Sequence, residues 1–450
     1  MKTYPRAVGT PGRTTIRRWP ILGAVMAATV VLSGCAGARS AGSPSTTNSA
    51  ENSSVPASKC GEGNGQKATG TPIKLGAIVT NMPGLSFTDV TGMAKAYFDC
   101  VNDNGGIHGH PIEYVVKEDG LDPQLTASQA TNLLDSEKVV GIVGSMSVLD
   151  CAVNGKSYVQ RNLRIVDIGT SLECFDSPAL APVNDGPSFS ALSTAKYLLD
   201  SGAKKLVIFT SNTPGSDAIN ESIKLLGQAQ GVPVEAWLEN VPINDANGLA
   251  LRAVQAAGEG GGVVVNLNAG EAIKVFKAAQ QQGLMARVKW GCPAGCNDAS
   301  LAKQIGAAWD GKIGIDAEMN IVGSGGPDDQ LYRAVHDKYG SGTALGNFGE
   351  LGFTAARIAT QALLAGPADG PFTAEAVSKA FQGVTKYTSD LYCKPWYFGT
   401  QNFHAANNST RIVTVKGGTF VQVRGCQELP ALSNNRFAEI RAYEKTLGIG

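Results

Sequence analysis

Ile73-Lys-Leu-Gly-Ala-Ile-Val79 decides the fold of this chain, because it is the first of a long series of short apolar strands that alternate with helical segments. An amphipathic run through Val101 follows it, and Ile112–Lys117 is the next strand pattern. Such an alternation predicts parallel sheets of the α/β class. It restarts after Gly186 and continues to Ile315. We therefore expect two doubly wound parallel-sheet lobes joined by a multi-strand hinge.

Three stretches are candidate crossings between the lobes, namely Pro187, Gly323–Pro327 and the segment around Lys386–Pro395. The division predicted from them is a first lobe of residues 71–186 plus 325–385, a second lobe of residues 187–324 plus 386–426, and a C-terminal tail at 427–450.

The end of the chain carries two further patterns. Strand patterns at Arg411–Val415 and Thr419–Val423, joined by a Lys-Gly-Gly turn, predict a hairpin. In the tail, the only element that the sequence suggests is a helix at Arg436–Leu447.

The N-terminus has the pattern of an exported lipoprotein. Basic residues precede an apolar run from Ile21 to Leu32, which is too short to span a bilayer of roughly 30 Å but suits the core of a secretory signal. Leu32-Ser33-Gly34-Cys35 resembles the lipobox of bacterial lipoproteins. The resemblance implies a signal peptide at residues 1–34, acylation of Cys35 and anchoring to the outer face of the cell membrane. An ordinary signal peptide is the alternative.

Residues 35–70 are predicted to be a disordered tether. They consist mainly of Ala, Gly, Ser, Thr, Asn and Pro, with almost no large apolar side chain. Such a segment cannot bury enough surface to offset the entropy lost on ordering.

The charge of the chain excludes one class of partner. Removal of residues 1–34 would leave 33 basic against 38 acidic side chains. A mildly acidic chain offers no electrostatic surface for nucleic acid. No later apolar run has the length of a spanning helix, so the predicted lipid is the only membrane attachment that we expect.

Eight cysteines remain beside Cys35, and an even number in an oxidising compartment predicts disulfides. Eight cysteines allow 105 pairings, so the sequence does not fix the connectivity. Pairing them in chain order gives Cys60–Cys100, Cys151–Cys174, Cys292–Cys296 and Cys393–Cys426. Metal binding at Cys292 and Cys296 is the alternative for that pair, but no matching Cys or His pair follows at zinc-finger spacing. We expect no metal and no cofactor.

A set of ordered motifs resembles the type I periplasmic-binding family, and its closest branch looks like the branched-chain amino-acid and amide binding proteins of ABC importers. The resemblance runs from about Ile73 to Val423. The motifs are Gly92-Met93-Ala94, Val101–Pro111 with its Gly105-Gly106 turn, Glu118-Asp119, Asp122-Pro123, Val140–Gly144 and Phe348–Phe353. It implies two lobes that close on a solute in a hinge motion.

The resemblance also indicates ligand-binding residues in the first lobe. Ser145 and Ser147 follow the third strand, and Thr170 and Ser171 follow the fourth. Hydroxyls and backbone N–H groups at helix starts can hold an anion, and in the family these loops commonly hold a ligand carboxylate. Capping of helices is the alternative role for these residues. Leu85 and Phe87 lie where relatives place a ligand contact, with core packing as the alternative.

In the second lobe the chain departs from the amino-acid binders of the family. Asn212 and Asn268 fall near positions that are often aromatic in relatives, and Pro293 stands where those relatives place an acid for the ligand ammonium. A buried ammonium without a counter-charge is expensive. We therefore expect a small polar or carboxylate-bearing solute rather than an α-amino acid.

The function that these observations predict is a solute receptor that acts as a monomer, delivers its solute to ABC permease subunits and performs no chemistry. A ligand sensor of the same fold, acting on a membrane signalling partner, is the first alternative. A secreted enzyme is the second, but the chain contains no Gly-x-Ser-x-Gly elbow, no His-Glu-x-x-His motif and no P-loop.

Overall fold

A computed structural model describes residues 59–433 and 435–449 of the 450-residue chain. The predicted signal peptide, the lipidation at Cys35 and most of the predicted tether lie outside the described residues. Within the described residues, no helix combines the length and apolar character that crossing a bilayer requires.

The first part of the chain builds one α/β layer system. In chain order its elements are β1 (Ile73–Val79), β2 (Asn81–Met82), β3 (Leu85–Ser86), α1 (Thr88–Asn102), β4 (Ile112–Glu118), α2 (Pro123–Thr131), β5 (Gly141–Ile142), α3 (Asp150–Gln160), β6 (Ile165–Asp167), α4 (Leu172–Phe175) and β7 (Leu180–Pro182).

The middle part builds a second layer system. Its elements are α5 (Pro187–Asp200), β8 (Leu206–Ser211), α6 (Ser216–Gln230), β9 (Val234–Glu239), α7 (Ala246–Ala257), β10 (Gly262–Asn266), α8 (Ala269–Gln281), β11 (Lys289–Cys292), α9 (Ala299–Ile305) and β12 (Ile313–Ala317).

The last part returns to the first system and then adds a hairpin to the second. It contains α10 (Pro327–Tyr339), α11 (Asn347–Leu364), α12 (Ala374–Gln382), β13 (Ser409–Lys416), β14 (Thr419–Glu428) and α13 (Phe437–Thr446). The hairpin and the tail helix were both predicted from the sequence and are confirmed.

Both sheets have the doubly wound order, which confirms the predicted fold class. In the first sheet, β1 lies between β4 and β5, all in parallel, and the Val143–Val166 bridge continues the sheet to the parallel pair β6 and β7. The second sheet runs β9-β8-β10-β11-β12 in parallel and ends with the antiparallel strands β13 and β14. We call the two systems the first lobe and the second lobe.

Each sheet is covered on both faces by apolar helices. In the first lobe, α1 and α11 pack closely, and Gly352 makes this possible because a β-carbon there would overlap the carbonyl oxygen of Val90. In the second lobe, Phe276, Trp290 and Trp309 form a buried aromatic cluster on one face. Each lobe therefore has its own core.

The chain crosses between the lobes three times, at residues 183–187, 318–326 and 407–408, and we call these crossings, together with the segment 383–406 that leads to the third, the hinge. Side chains connect them: the Tyr392 hydroxyl donates to the carbonyl oxygen of Val183 at 2.8 Å, and Asn407 Nδ2 donates to the carbonyl oxygen of Glu318 at 3.1 Å.

Two of the predicted boundaries between tether and lobes differ from those in the structure, one near the N-terminal end of the described chain and one in its C-terminal part. Residues 387–406 had been assigned to the second lobe, but Leu391, Trp396 and Phe398 are buried in the core of the first. Residues 59–70 had been assigned to the disordered tether, but Ala68 is buried and its N–H donates to the carbonyl oxygen of Asn102 at 2.8 Å. Local composition did not reveal these contacts because the partners are distant in sequence or lie on α1.

The eight cysteines are joined in chain order in the structure, as Cys60–Cys100, Cys151–Cys174, Cys292–Cys296 and Cys393–Cys426. The first of these bonds ties the segment before β1 to α1.

Candidate functional site

A cleft with a volume of about 130 Å³ lies between the two lobes, outside the carboxyl ends of the parallel strands. Open α/β sheets bind ligands at this edge, where the strand order reverses. Both lobes and the hinge contribute to its walls. The lining residues used below are Leu85, Phe87, Met146, Thr170, Asp185, Leu267, Asn268, Pro293, Glu318 and Phe348.

Four of the residues predicted to bind a ligand line this cleft, namely Leu85, Phe87, Thr170 and Asn268. Leu85 and Phe87 come from the loop after β1, and the ring of Phe87 meets that of Phe348 edge-on at 5.4 Å between centroids. Together they give the first-lobe wall an apolar surface.

Asn268 has two roles at the opposite wall. Its side-chain oxygen accepts the N–H of Glu271 at 3.1 Å and so caps α8. Its Nδ2 donates to the carbonyl oxygen of Gly84, in the other lobe, at 2.5 Å. This hydrogen bond spans the cleft and holds the lobes in a closed arrangement.

The structure does not bring Ser145 and Ser147 to the cleft lining. Ser145 Oγ accepts the N–H of Ile78 at 2.9 Å, inside the first sheet. Ser147 Oγ donates to the carboxylate of Asp119 and accepts the N–H of Asp150 at the start of α3. Ser147 therefore has the capping role that was the alternative prediction, whereas Ser145 supports the backbone of β1.

Ser171 and Asn212 also lie outside the lining. Ser171 is the residue before α4, and its hydroxyl lies near Sγ of Cys174. Asn212 is exposed, and its Nδ2 donates to Asn240 Oδ1 at 2.9 Å. Of the four hydroxyl residues predicted to hold a ligand carboxylate, only Thr170 lines the cleft.

Two acids that the sequence reasoning missed line the cleft from the hinge, namely Asp185 and Glu318. Asp185 is fully buried, and among the described residues no N–H or hydroxyl group donates to its carboxylate oxygens. The backbone N–H of Asp185 donates to one carboxylate oxygen of Glu318 at 2.9 Å, and Asn347 Nδ2 donates to the other at 2.7 Å. The only sequence signal was their position, since Asp185 precedes the Gly-Pro start of α5 and Glu318 directly follows β12.

Burial governs the titration of Asp185 and of Asp316, a neighbouring acid on β12. Burial raises the pKa of Asp185 well above its ordinary value, and the nearby charges of Glu318 and Asp316 raise it further. Burial also raises the pKa of Asp316 to about 7, against the opposing effect of hydrogen bonds from Thr410 and other hydroxyls. Asp185 and Asp316 therefore ionise less readily than an exposed aspartate does.

One group of side chains has the composition of a metal site. Cys151, Asp167 and Cys174 bring their ligand atoms within 4.8 Å of one another. The two sulfur atoms are joined as a disulfide, so they are not available as thiolate ligands in this state.

Comparison with known proteins identifies the family of this chain. A family model described as periplasmic binding protein matches residues 72–419. No curated protein matches the sequence significantly.

Solved structures resemble the chain over nearly their whole length. A fatty acid ABC transporter substrate-binding protein from Thermomonospora curvata is 19% identical with a TM-score of 0.68, and the match covers 81% of this chain and 94% of that one. A branched-chain amino acid ABC transporter structure from Thermus thermophilus with bound valine is 16% identical with a TM-score of 0.69, covering 83% and 100%. A solute binding protein of an ABC transporter from Rhodopseudomonas palustris, in complex with 3,4-dihydroxybenzoic acid, is 20% identical with a TM-score of 0.65, covering 80% and 99%. At these identities the likeness establishes a shared fold.

Proposed function

Because the chain belongs to the periplasmic binding protein family, we propose that it is an extracytoplasmic receptor that captures a small solute in its cleft and delivers it to an ABC importer. The observation that carries the proposal is a cleft lined by both lobes and bridged by the Asn268–Gly84 hydrogen bond. A receptor that closes around its solute needs walls on two hinged bodies and contacts that form only on closure.

The structural neighbours support the transport role without identifying the solute. All three are ABC transporter proteins, and the ligands named are a fatty acid, valine and a dihydroxybenzoic acid. The same fold thus accommodates unrelated small molecules. The residues that we propose as ligand contacts in this chain are Leu85, Phe87, Thr170 and Asn268, while Ser145, Ser147 and Ser171 support the loops that carry them.

The first prediction concerns closure of the cleft. Replacing Asn268 with serine keeps an oxygen that can cap α8 but removes the amide that reaches Gly84. We expect solute affinity to fall about 2- to 10-fold, the usual worth of one hydrogen bond, with little change in melting temperature. The Asn212→Ala variant, at an exposed position outside the cleft, should bind as the parent protein does.

The measurement begins with native mass spectrometry of the protein after incubation with a metabolite extract, followed by calorimetry with the solute retained. A bound solute should also raise the melting temperature by mass action. If no component of the extract is retained and none shifts the melting temperature, the receptor proposal is wrong. If both asparagine variants bind alike, the assignment of Asn268 is wrong although the receptor proposal stands.

A second prediction concerns anchoring, for which we propose a lipid on Cys35. In a bacterial host with lipoprotein processing, the parent protein should fractionate with membranes, and a Cys35→Ala variant should not, since it lacks the acylated thiol. The mass of the mature N-terminal peptide provides the check. A parent protein that is cleaved elsewhere and carries no acyl chain would contradict the proposal.

A further inference from the structure

We propose that the solute carries a positively charged nitrogen, as in an amine, and that this group binds against the carboxylates of Asp185 and Glu318 on the hinge side of the cleft. The inference rests on the proposed receptor function and adds the chemical class of the solute. It replaces the carboxylate-bearing solute expected from the sequence.

The ionisable side chains that line the cleft favour a cationic solute. Among the described residues that line it, Asp185 and Glu318 are the only ones that ionise, and no Lys, Arg or His is present. A carboxylate ligand would meet two acidic side chains and no cation. A cationic ligand would favour the ionised form of both acids in a largely buried site, where the attraction between opposite charges is strong.

The hydrogen bonding of Asp185 also favours a solute that carries a donor. Its carboxylate is fully buried, no N–H or hydroxyl group of the described residues donates to either oxygen, and its polar neighbours are the carboxyl groups of Glu318 and Asp316. A buried polar group is normally hydrogen-bonded, and a buried acid without a partner is costly. Asp316 in the same cluster shows the contrast, because it accepts hydrogen bonds from Ser190 at 2.9 Å and Thr410 at 2.6 Å. The oxygens of Asp185 are therefore available for a donor that enters the cleft.

Arg411 is a buried cation in the same region, since its charge lowers the pKa of Glu350. Arg411 is buried on β13, outside the lining, and its guanidinium donates to the carbonyl oxygens of Leu391 and Tyr392 at 3.3 and 3.2 Å. Glu350, on α11, is a further buried acid whose pKa burial raises well above its ordinary value; the charges of Asp329 and Glu318 raise it more, and that of Arg411 opposes them. Arg411 thus offsets part of the negative charge behind the cleft, while the ionisable side chains that line the cleft itself are Asp185 and Glu318.

Away from the hinge, apolar side chains of both lobes line the cleft and indicate the chemistry of the rest of the solute. These residues are Leu85, Phe87, Met146, Leu267 and Phe348. A charged nitrogen bearing a compact hydrocarbon group would place the nitrogen at Asp185 and the carbon atoms against Phe87. The acid that amino-acid binders place in the Gly291–Asn297 loop is replaced here by acids from the hinge.

The proposal predicts a linkage between binding and protons. In the empty cleft, burial and the neighbouring acids Glu318 and Asp316 hold a proton on the carboxyl of Asp185. A cation stabilises the ionised carboxylate and releases that proton, so affinity for an amine should rise with pH until Asp185 is already ionised in the empty cleft. Calorimetry in buffers of different ionisation enthalpy would measure the release directly.

The experiment uses probes matched in shape and different in charge. Isobutylamine, isovalerate and isobutanol form one set, and cyclohexylamine, cyclohexanecarboxylate and cyclohexanol form another. We expect thermal shifts and calorimetric binding with the amines only. In Asp185→Asn, amine affinity should fall at least about 30-fold, as it does when one partner of a buried charge pair is removed. Glu318→Gln should weaken amine binding as well.

Asp316→Asn is the matched control, since Asp316 belongs to the same cluster but does not line the cleft; this variant should still bind amines, with the pH dependence moved to lower pH because a charge that raises the pKa of Asp185 is lost. Melting temperatures identify any variant that fails to fold. The comparison of amines with carboxylates and alcohols is made on the parent protein, so it tests the proposal even if a variant does not fold. If the solute retained from the extract or the bound probes are carboxylates or neutral molecules, or if Asp185→Asn and Glu318→Gln bind amines normally, the proposal is overturned while the receptor function stands. If nothing of any class binds, both are wrong.

Discussion

Replacing Trp309 with alanine is expected to lower the free energy of unfolding by about 3–5 kcal/mol, the range for truncation of a large aromatic side chain in a core. Trp309 is fully buried in the second lobe, with ring centroids 5.0 Å from Phe276 and 5.6 Å from Trp290. Both neighbours are themselves buried, so the space left by the indole would stay largely empty. Chemical denaturation followed by circular dichroism measures the loss without relying on tryptophan fluorescence.

Trp237 provides a matched control for the same substitution. It is only partly buried on β9, where it stacks on Phe209 and lies 4.1 Å from the guanidinium of Arg252. Solvent can fill part of the space that its removal creates, so Trp237→Ala should destabilise the protein clearly less. Equal losses at the two positions would mean that the aromatic cluster around Trp309 is not tightly packed.

Replacing Arg357 with methionine is the second large effect, and we expect a loss of about 3–5 kcal/mol, as when a buried ion pair loses one partner. Arg357 is 6% exposed on α11, and its guanidinium lies 2.9 Å from the carboxylate of Asp328, which is fully buried. It also donates to the carbonyl oxygen of Lys59 at 3.1 Å. Methionine keeps the apolar part of the side chain, so the loss of unfolding free energy is due mainly to removal of the guanidinium charge and its hydrogen bonds.

The control is Arg161→Met. Arg161 pairs with Asp135 at 2.8 Å, but both side chains are more than 40% exposed. Exposed pairs contribute about 0–1 kcal/mol, so this variant should be nearly as stable as the parent protein. The double variant Arg357→Met/Asp328→Asn should recover part of the stability lost in Arg357→Met, since it also removes the buried negative charge. A loss below about 1 kcal/mol for Arg357→Met would contradict the prediction.

Much of the fold follows from local patterns. The apolar runs at β1, β8 and β10 and the helices between them are visible in the sequence, and Lys416-Gly-Gly418 marks the hairpin. The hinge was harder to predict, because residues 387–406 resemble an ordinary loop until their aromatic side chains meet the first core. Contacts between distant segments, rather than periodicity, decide where such a segment packs.

The site was predicted less well for the same reason. A serine at a strand end looks the same whether it faces a ligand or caps a helix, and for Ser147 the choice depends on Asp119, 28 positions earlier in the chain. Asp185 becomes notable only when the fold places it beside Glu318, 133 positions later, with no donor for its oxygens. Leu85 and Phe87 were easier to place, because the loop after the first strand always lies at the cleft edge in this topology.

The bond between Cys60 and Cys100 has a mechanical consequence. Tension that reaches the protein from the N-terminal side enters at Cys60 and passes through a covalent link into α1, which packs closely against α11. The load bypasses β1, the strand between β4 and β5 in the first sheet. A pull from that side would therefore be borne by the helical layer and leave the cleft-forming end of the sheet undisturbed.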